Sequence, residues 1–164
     1  MTFRTLAHTQ IVSDGPDATR AVGAAIGRWA RPGDLVALQG ELGAGKTVVA
    51  QGIAQGLGVE EGVTSPTYVL VSVYGSGRLR LQHVDLYRLA GALDLDSIDW
   101  EDLLDEPAVT AVEWSERAGE RMPDDCLLVA IQAESTNRRT ITLSAGGPRS
   151  RELLAAVGAR MAAR

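Results

Sequence analysis

Gly40-Glu41-Leu42-Gly43-Ala44-Gly45-Lys46-Thr47 is the stretch that decides how this chain folds. It has glycine, four residues, glycine, lysine and a hydroxyl residue. It joins an apolar run at 35–38, which reads as a buried strand, to a helical pattern in which Val48, Val49, Ile53 and Leu57 form one stripe before Gly58 stops it. A strand that passes through a glycine loop into a helix makes an anion site. The glycines let backbone amides converge on phosphate oxygens, and the helix N-terminus adds a favourable field. Gly40, Leu42, Gly43, Ala44, Gly45, Lys46, Thr47 and Val48 are therefore expected to cradle a purine nucleotide, ATP, with the Lys46 ammonium on the β- and γ-phosphates and the Thr47 hydroxyl on Mg²⁺.

Composition sharpens that reading. Lys46 is the only lysine among 16 basic residues. An exposed cation drifts from lysine to arginine at little cost, but a compact ammonium wrapped by a tight anion nest does not exchange for a planar guanidinium. The net charge of −5 argues against a protein that grips nucleic acid by its phosphates. Any RNA role is then shared with partners. Cys126 has no cysteine to pair with and lies in an apolar run, as a structural thiol does. No apolar stretch approaches membrane-spanning length and the polar start has no signal-peptide core, so a cytoplasmic protein without membrane contact is expected.

Outward from the loop, one domain over residues 1–164 is expected. Its fold class is α/β: a P-loop NTPase of three layers, with a mixed, mainly parallel central sheet flanked by helices. A strand at 3–8 precedes Ser13, Asp14 and Pro16, which look like a capped helix start, and that helix ends before Arg31-Pro-Gly-Asp34. Residues 68–74 and 79–84 flank Gly75-Ser76-Gly77 and read as a hairpin. An acidic helix is expected at 93–106, strands at 109–112, 126–132 and 140–144, and a last helix capped by Ser150.

A phosphate cradle alone does not complete hydrolysis; carboxylates for Mg²⁺ and groups that orient water are also needed. Three segments offer them. The hydroxyls of Thr64-Ser65-Pro66-Thr67 lie after a loop and could act on a γ-phosphate as a switch. Asp85, in His83-Val-Asp85-Leu-Tyr-Arg88, and Glu113, followed by Trp114, both end apolar strands, where α/β sheets present reacting groups. Trp114 is available to shield the site or stack on a ring. His83 alternates with Val84 and reads as a structural side chain. The seven carboxylates from Asp94 to Glu106 read as a solvated helix face or a docking surface.

The ordered set GELGAGKT, TSPTY, HVDLYRL and VEWSER resembles the TsaE family, the P-loop ATPases of bacterial tRNA threonylcarbamoyladenosine synthesis, over nearly the whole chain. The resemblance implies an ATP hydrolase that works with the TsaB and TsaD pair, touches tRNA only through that complex, and supports its multiple turnover. By matching position it implies Lys46 and Thr47 on phosphates and Mg²⁺, residues 64–67 with Thr67 as a switch-like loop, Asp85 and Glu113 as functional acids, and Trp114 within the same signature. Glu41, Val48 and Ser115 depart from the usual family residues, and the 94–106 segment is the least typical. A guanine-specifying Asn-Lys-x-Asp segment is absent, since the single lysine is in the loop. Two rival readings stand beside the ATPase: a small-molecule kinase, with Asp85 and Arg88 orienting an acceptor, and a nucleotide-dependent adaptor that does not hydrolyse.

Overall fold

The structure, a computed structural model, describes residues 7–65 and 70–162. In chain order the elements are β1 (Ala7–Ser13), α1 (Pro16–Trp29), β2 (Leu35–Gln39), α2 (Lys46–Leu57), β3 (Val71–Tyr74), β4 (Leu81–Asp85), a 3-10 helix (Ala92–Ile98), α3 (Trp100–Asp105), β5 (Val109–Glu113), a second 3-10 segment (Ser115–Arg121) kinked at Gly119, β6 (Leu127–Ala133), β7 (Arg139–Ala145) and α4 (Pro148–Ala162). The strands form one seven-stranded sheet in the order β1-β7-β6-β2-β5-β4-β3. None of the described helices is long and apolar enough to cross a membrane.

The sheet is mixed, but less parallel than expected. β6, β2, β5 and β4 run parallel, whereas β7 is antiparallel to both β6 and β1, and β3 is antiparallel to β4. Short turns cause two of these pairings, since the Gly75-Ser76-Gly77 turn between β3 and β4 and the 134–138 turn between β6 and β7 can join only antiparallel neighbours, while parallel pairs need long crossovers. The parallel strands occupy the middle, where α2 with β3, the acidic segment and the second 3-10 segment supply those crossovers.

Alternation along β2 builds three layers. Val36 and Leu38 face a core shared with Val22 and Ile26 of α1, Ile53 and Leu57 of α2, and Leu153 and Val157 of α4. Leu35 faces the opposite side, where Leu86, Leu95, Val112 and the fully buried Trp100 pack under the short helices. A strand buried on both faces reads as a near-continuous apolar run, as β2 does from Leu35 to Leu38.

α1 and α2 are in backbone contact. A Cβ on Gly23 would lie 2.2 Å from the Val49 carbonyl oxygen, and one on Gly52 would lie 2.1 Å from that of Arg20. Only glycine permits this approach, and it holds the helix that follows the glycine loop tightly against its neighbour.

Four local expectations need correction. The first strand continues to Ser13 rather than ending at 8, because it pairs with β7 from Ala7↔Ala145 to Ser13↔Arg139; residues 3–6 lie outside the described residues. α1 starts at Pro16 with no side-chain cap; the Ser13 hydroxyl instead donates to the Gly15 carbonyl and shares a hydrogen bond with Thr19. The acidic helix is split at Asp99, whose φ of 50° is incompatible with a continuous helix. The last helix begins at Pro148, and its first amides are met by Asp125, which accepts from Arg149 N, Ser150 N and the Ser150 hydroxyl.

Candidate active site

The site forms where β2, β4 and β5 end and α2 begins. Gly43 and Gly45 adopt φ of 79° and 115°, values that let the loop turn its amides inward before α2 starts at Lys46. Gly40 is pressed on β6: a Cβ there would meet the Ile131 carbonyl oxygen at 2.7 Å. Arg139 of β7 braces the loop from outside, donating from Nε to the Ala44 carbonyl at 2.9 Å and from Nη1 to that of Ser135 at 2.7 Å.

Lys46 is buried at 4% exposure. Its Nζ donates to the carbonyls of Gly40 at 2.5 Å and Glu41 at 2.8 Å, and stands 4.1 Å from the centre of the Trp114 ring. Burial pushes its pKa below the ordinary 10.5, against the opposing pull of the negative charges of Glu113, Glu116 and Asp85. Trp114 is held with φ of 56°, and its ring meets Tyr87 at 4.9 Å. The indole therefore presents its ring to the ammonium.

The two acids come together because the register pairs Asp85 with Glu113 across adjacent parallel strands. Both are nearly excluded from water, at 6% and 3% exposure. The Thr47 hydroxyl reaches Glu113 at 3.0 and 3.1 Å from the two carboxylate oxygens, and His83 Nε2 lies 2.6 Å from Oε2. Asp85 accepts from the Ser65 hydroxyl and from the Tyr87 amide, each at 2.9 Å.

A cleft of about 460 Å³ is lined by Leu42, Gly43, Gly45, Lys46, Thr47, Val48, Ser65, Asp85, Tyr87, Arg88, Glu113 and Trp114. Most residues singled out from sequence thus meet on one surface. Gly40 and Ala44, in the same loop, do not line this cleft; Thr67 lies outside the described residues. A second, smaller cleft of about 100 Å³ opens on the other flank of the loop, between Gly15, Pro16 and Thr19 on one side and Thr136, Asn137 and Arg139 on the other. Sequence reasoning missed it, because its walls come from opposite ends of the chain and only strand pairing unites them. It also missed the contact of His83 with Glu113, which spans 30 residues and carries no motif of its own.

The donor set suits Mg²⁺. Among the described residues no group of three or more His, Cys, Asp and Glu could hold a metal by itself. Mg²⁺ is usually bound by one or two carboxylates together with substrate phosphates and water, and Thr47, Glu113 and Asp85 offer hard oxygen ligands of that kind.

The family model for threonylcarbamoyl adenosine biosynthesis protein TsaE matches residues 13–141. Among similar proteins, the tRNA threonylcarbamoyladenosine biosynthesis protein TsaE of Treponema pallidum is 38% identical over 133 residues, covering 81% of this chain and 98% of that protein. The same-named protein of Streptomyces coelicolor is 44% identical over 116 residues, 68% of this chain and 77% of its own. The crystal structure of YdiB from Bacillus subtilis superposes with a TM-score of 0.82 at 30% identity, covering 96% of this chain and 98% of that one.

Proposed function

This chain belongs to the TsaE family, and on that premise we propose that it is a P-loop ATPase of tRNA threonylcarbamoyladenosine biosynthesis, acting with the TsaB and TsaD pair. The observation that carries the ATPase reading is the convergence of the Lys46 ammonium, the Thr47 hydroxyl and the paired acids Asp85 and Glu113 in one cleft beside the glycine loop. Families of the same fold differ in chemistry, so the reading rests on these groups rather than on the sheet.

In this reading the amides of the glycine loop and the α2 N-terminus bind the triphosphate. Lys46 leaves the carbonyls of Gly40 and Glu41 to pair with the β- and γ-phosphates. Thr47, Glu113 and Asp85 would hold Mg²⁺, directly or through water, and a metal held there would neutralise charge that develops on the phosphates during transfer. Asp85 also anchors the Ser65 hydroxyl, which links the metal side of the site to the 64–67 segment. Loss of the γ-phosphate releases that segment and resets the complex, as in other order-to-disorder switches. The adenine occupies the second cleft, which shares Gly43, Ala44, Gly45 and Val48 with the phosphate loop and offers the uncharged polar side chains of Thr136 and Asn137.

The test is ATP hydrolysis with purified components. Slow turnover by the chain alone, stimulated by TsaB and TsaD and lost in Lys46→Ala, supports the reading. ATP binding without turnover under every condition would leave a nucleotide-dependent adaptor, and a phosphorylated small-molecule product would identify a kinase.

A further inference from the structure

We propose that His83 is a positioning residue of the nucleotide site, holding the Glu113 carboxylate in the orientation that serves Mg²⁺; this rests on the reading of Glu113 as a metal-side acid. His83 is completely buried on β4, one strand from Glu113 on β5, and its Nε2 lies 2.6 Å from Oε2. Glu113 accepts nothing else from a side chain among the described residues except the Thr47 hydroxyl. The carboxylate is therefore gripped from two sides, by a strand behind it and by the first turn of α2 in front.

The proposal carries a tautomer with it: a carboxylate that serves Mg²⁺ only accepts, so the 2.6 Å contact is then donated by a hydrogen on Nε2. Among the described residues Nδ1 has no hydrogen-bond partner, and it has no access to solvent. A ring chosen merely to fill the core would be an apolar one, because burying an unpaired polar nitrogen costs free energy. The ring is retained at that cost for what its other nitrogen does.

What it does is remove freedom. A glutamate side chain left to itself samples several rotamers. Pinned through Oε2 by a short, rigid ring, it keeps its oxygens toward Thr47 and the mouth of the cleft. Partners of this kind behind a metal ligand usually fix its orientation, and their loss weakens metal binding.

Asparagine and glutamine separate positioning from packing, because the shorter amide introduced by His83→Asn overlays Nδ1, whereas the longer one introduced by His83→Gln overlays Nε2. Calorimetry of ATP binding to the full chain, with Mg²⁺ and with a chelator, gives the gain in affinity due to the metal. His83→Gln is expected to keep that gain, while His83→Asn loses about tenfold or more of it. Metal-free ATP, held by the loop and Lys46, binds all three proteins alike. Equal metal gains in the two variants, whether both retained or both lost, would overturn the inference. A wild-type protein that binds ATP with no metal gain would instead sink the underlying assignment of Glu113. Nitrogen NMR of the unmutated protein gives an independent reading that does not depend on a variant folding. Hydrogen on Nε2, with imidazole signals that move when Mg²⁺ joins the ATP complex, supports the proposal, and hydrogen on Nδ1 refutes it.

Discussion

At the scale of single residues, Asp85 and Glu113 have different neighbours. Asp85 is tied to Ser65 and to the turn at Tyr87, Glu113 to Thr47 and His83. Asp85→Asn and Glu113→Gln are both expected to bind ATP and to hydrolyse it about 10²-fold or more slowly, in line with the loss of one preorganised electrostatic group. Single-turnover assays check this; wild-type rates in both variants would remove the acids from the mechanism. Lys46→Ala should abolish binding itself, measured by calorimetry. These residues were legible in the sequence because each ends an apolar run or completes the glycine motif. His83 was not, since a histidine inside a strand looks the same whether it packs or grips a partner 30 residues away.

At the scale of elements, helix termini and close approaches make the predictions. The Asp125 carboxylate caps α4 from a distant loop. Burial tends to raise its pKa, but hydrogen bonds from the Ser150 side chain, the Ser150 and Arg149 amides, and the Arg151 charge bring it below the ordinary 3.8. A depressed carboxylate stabilises fully above its unfolded value and loses that contribution as pH falls through the lower folded one. Asp125→Ala should thus cost about 1 kcal/mol at neutral pH, as other lost caps do. In urea melts at a series of pH values, the difference from wild type should shrink once pH drops below 3.8. Gly52→Ala forces a methyl onto the Arg20 carbonyl and should destabilise by about 1–3 kcal/mol. Gly62→Ala, with open space around it, serves as the near-neutral control in the same melts. Sequence showed the helices through their apolar stripes. It did not show that Gly23 and Gly52 put their backbones in contact, because glycine inside a helix reads only as a weak helix former. Nor did local pattern place β1, whose register is set by β7.

At the scale of the molecule, ligand binding and folding are one equilibrium. At a hundred times its Kd, ATP with Mg²⁺ should add about 2.7 kcal/mol to stability. For a chain of this size that raises Tm by roughly 5–10 °C. A chelator should reduce the rise in a thermal melt, and Lys46→Ala should remove it. The three-layer order was legible as a whole because an apolar strand, a glycine loop and an amphipathic helix admit few arrangements. The number of parallel pairings was not, since it depended on which neighbours the short turns could join. A further consequence attaches to the buried ammonium on Trp114. Apart from the chain's own N-terminus, this protein presents amine-directed reagents with a single target, and burial increases the share of that target in its nucleophilic, uncharged form. Acylating labels should accordingly mark the nucleotide pocket and, the N-terminus aside, leave the exterior bare because its basic side chains are arginines, with occupancy by ATP appearing as protection at one peptide.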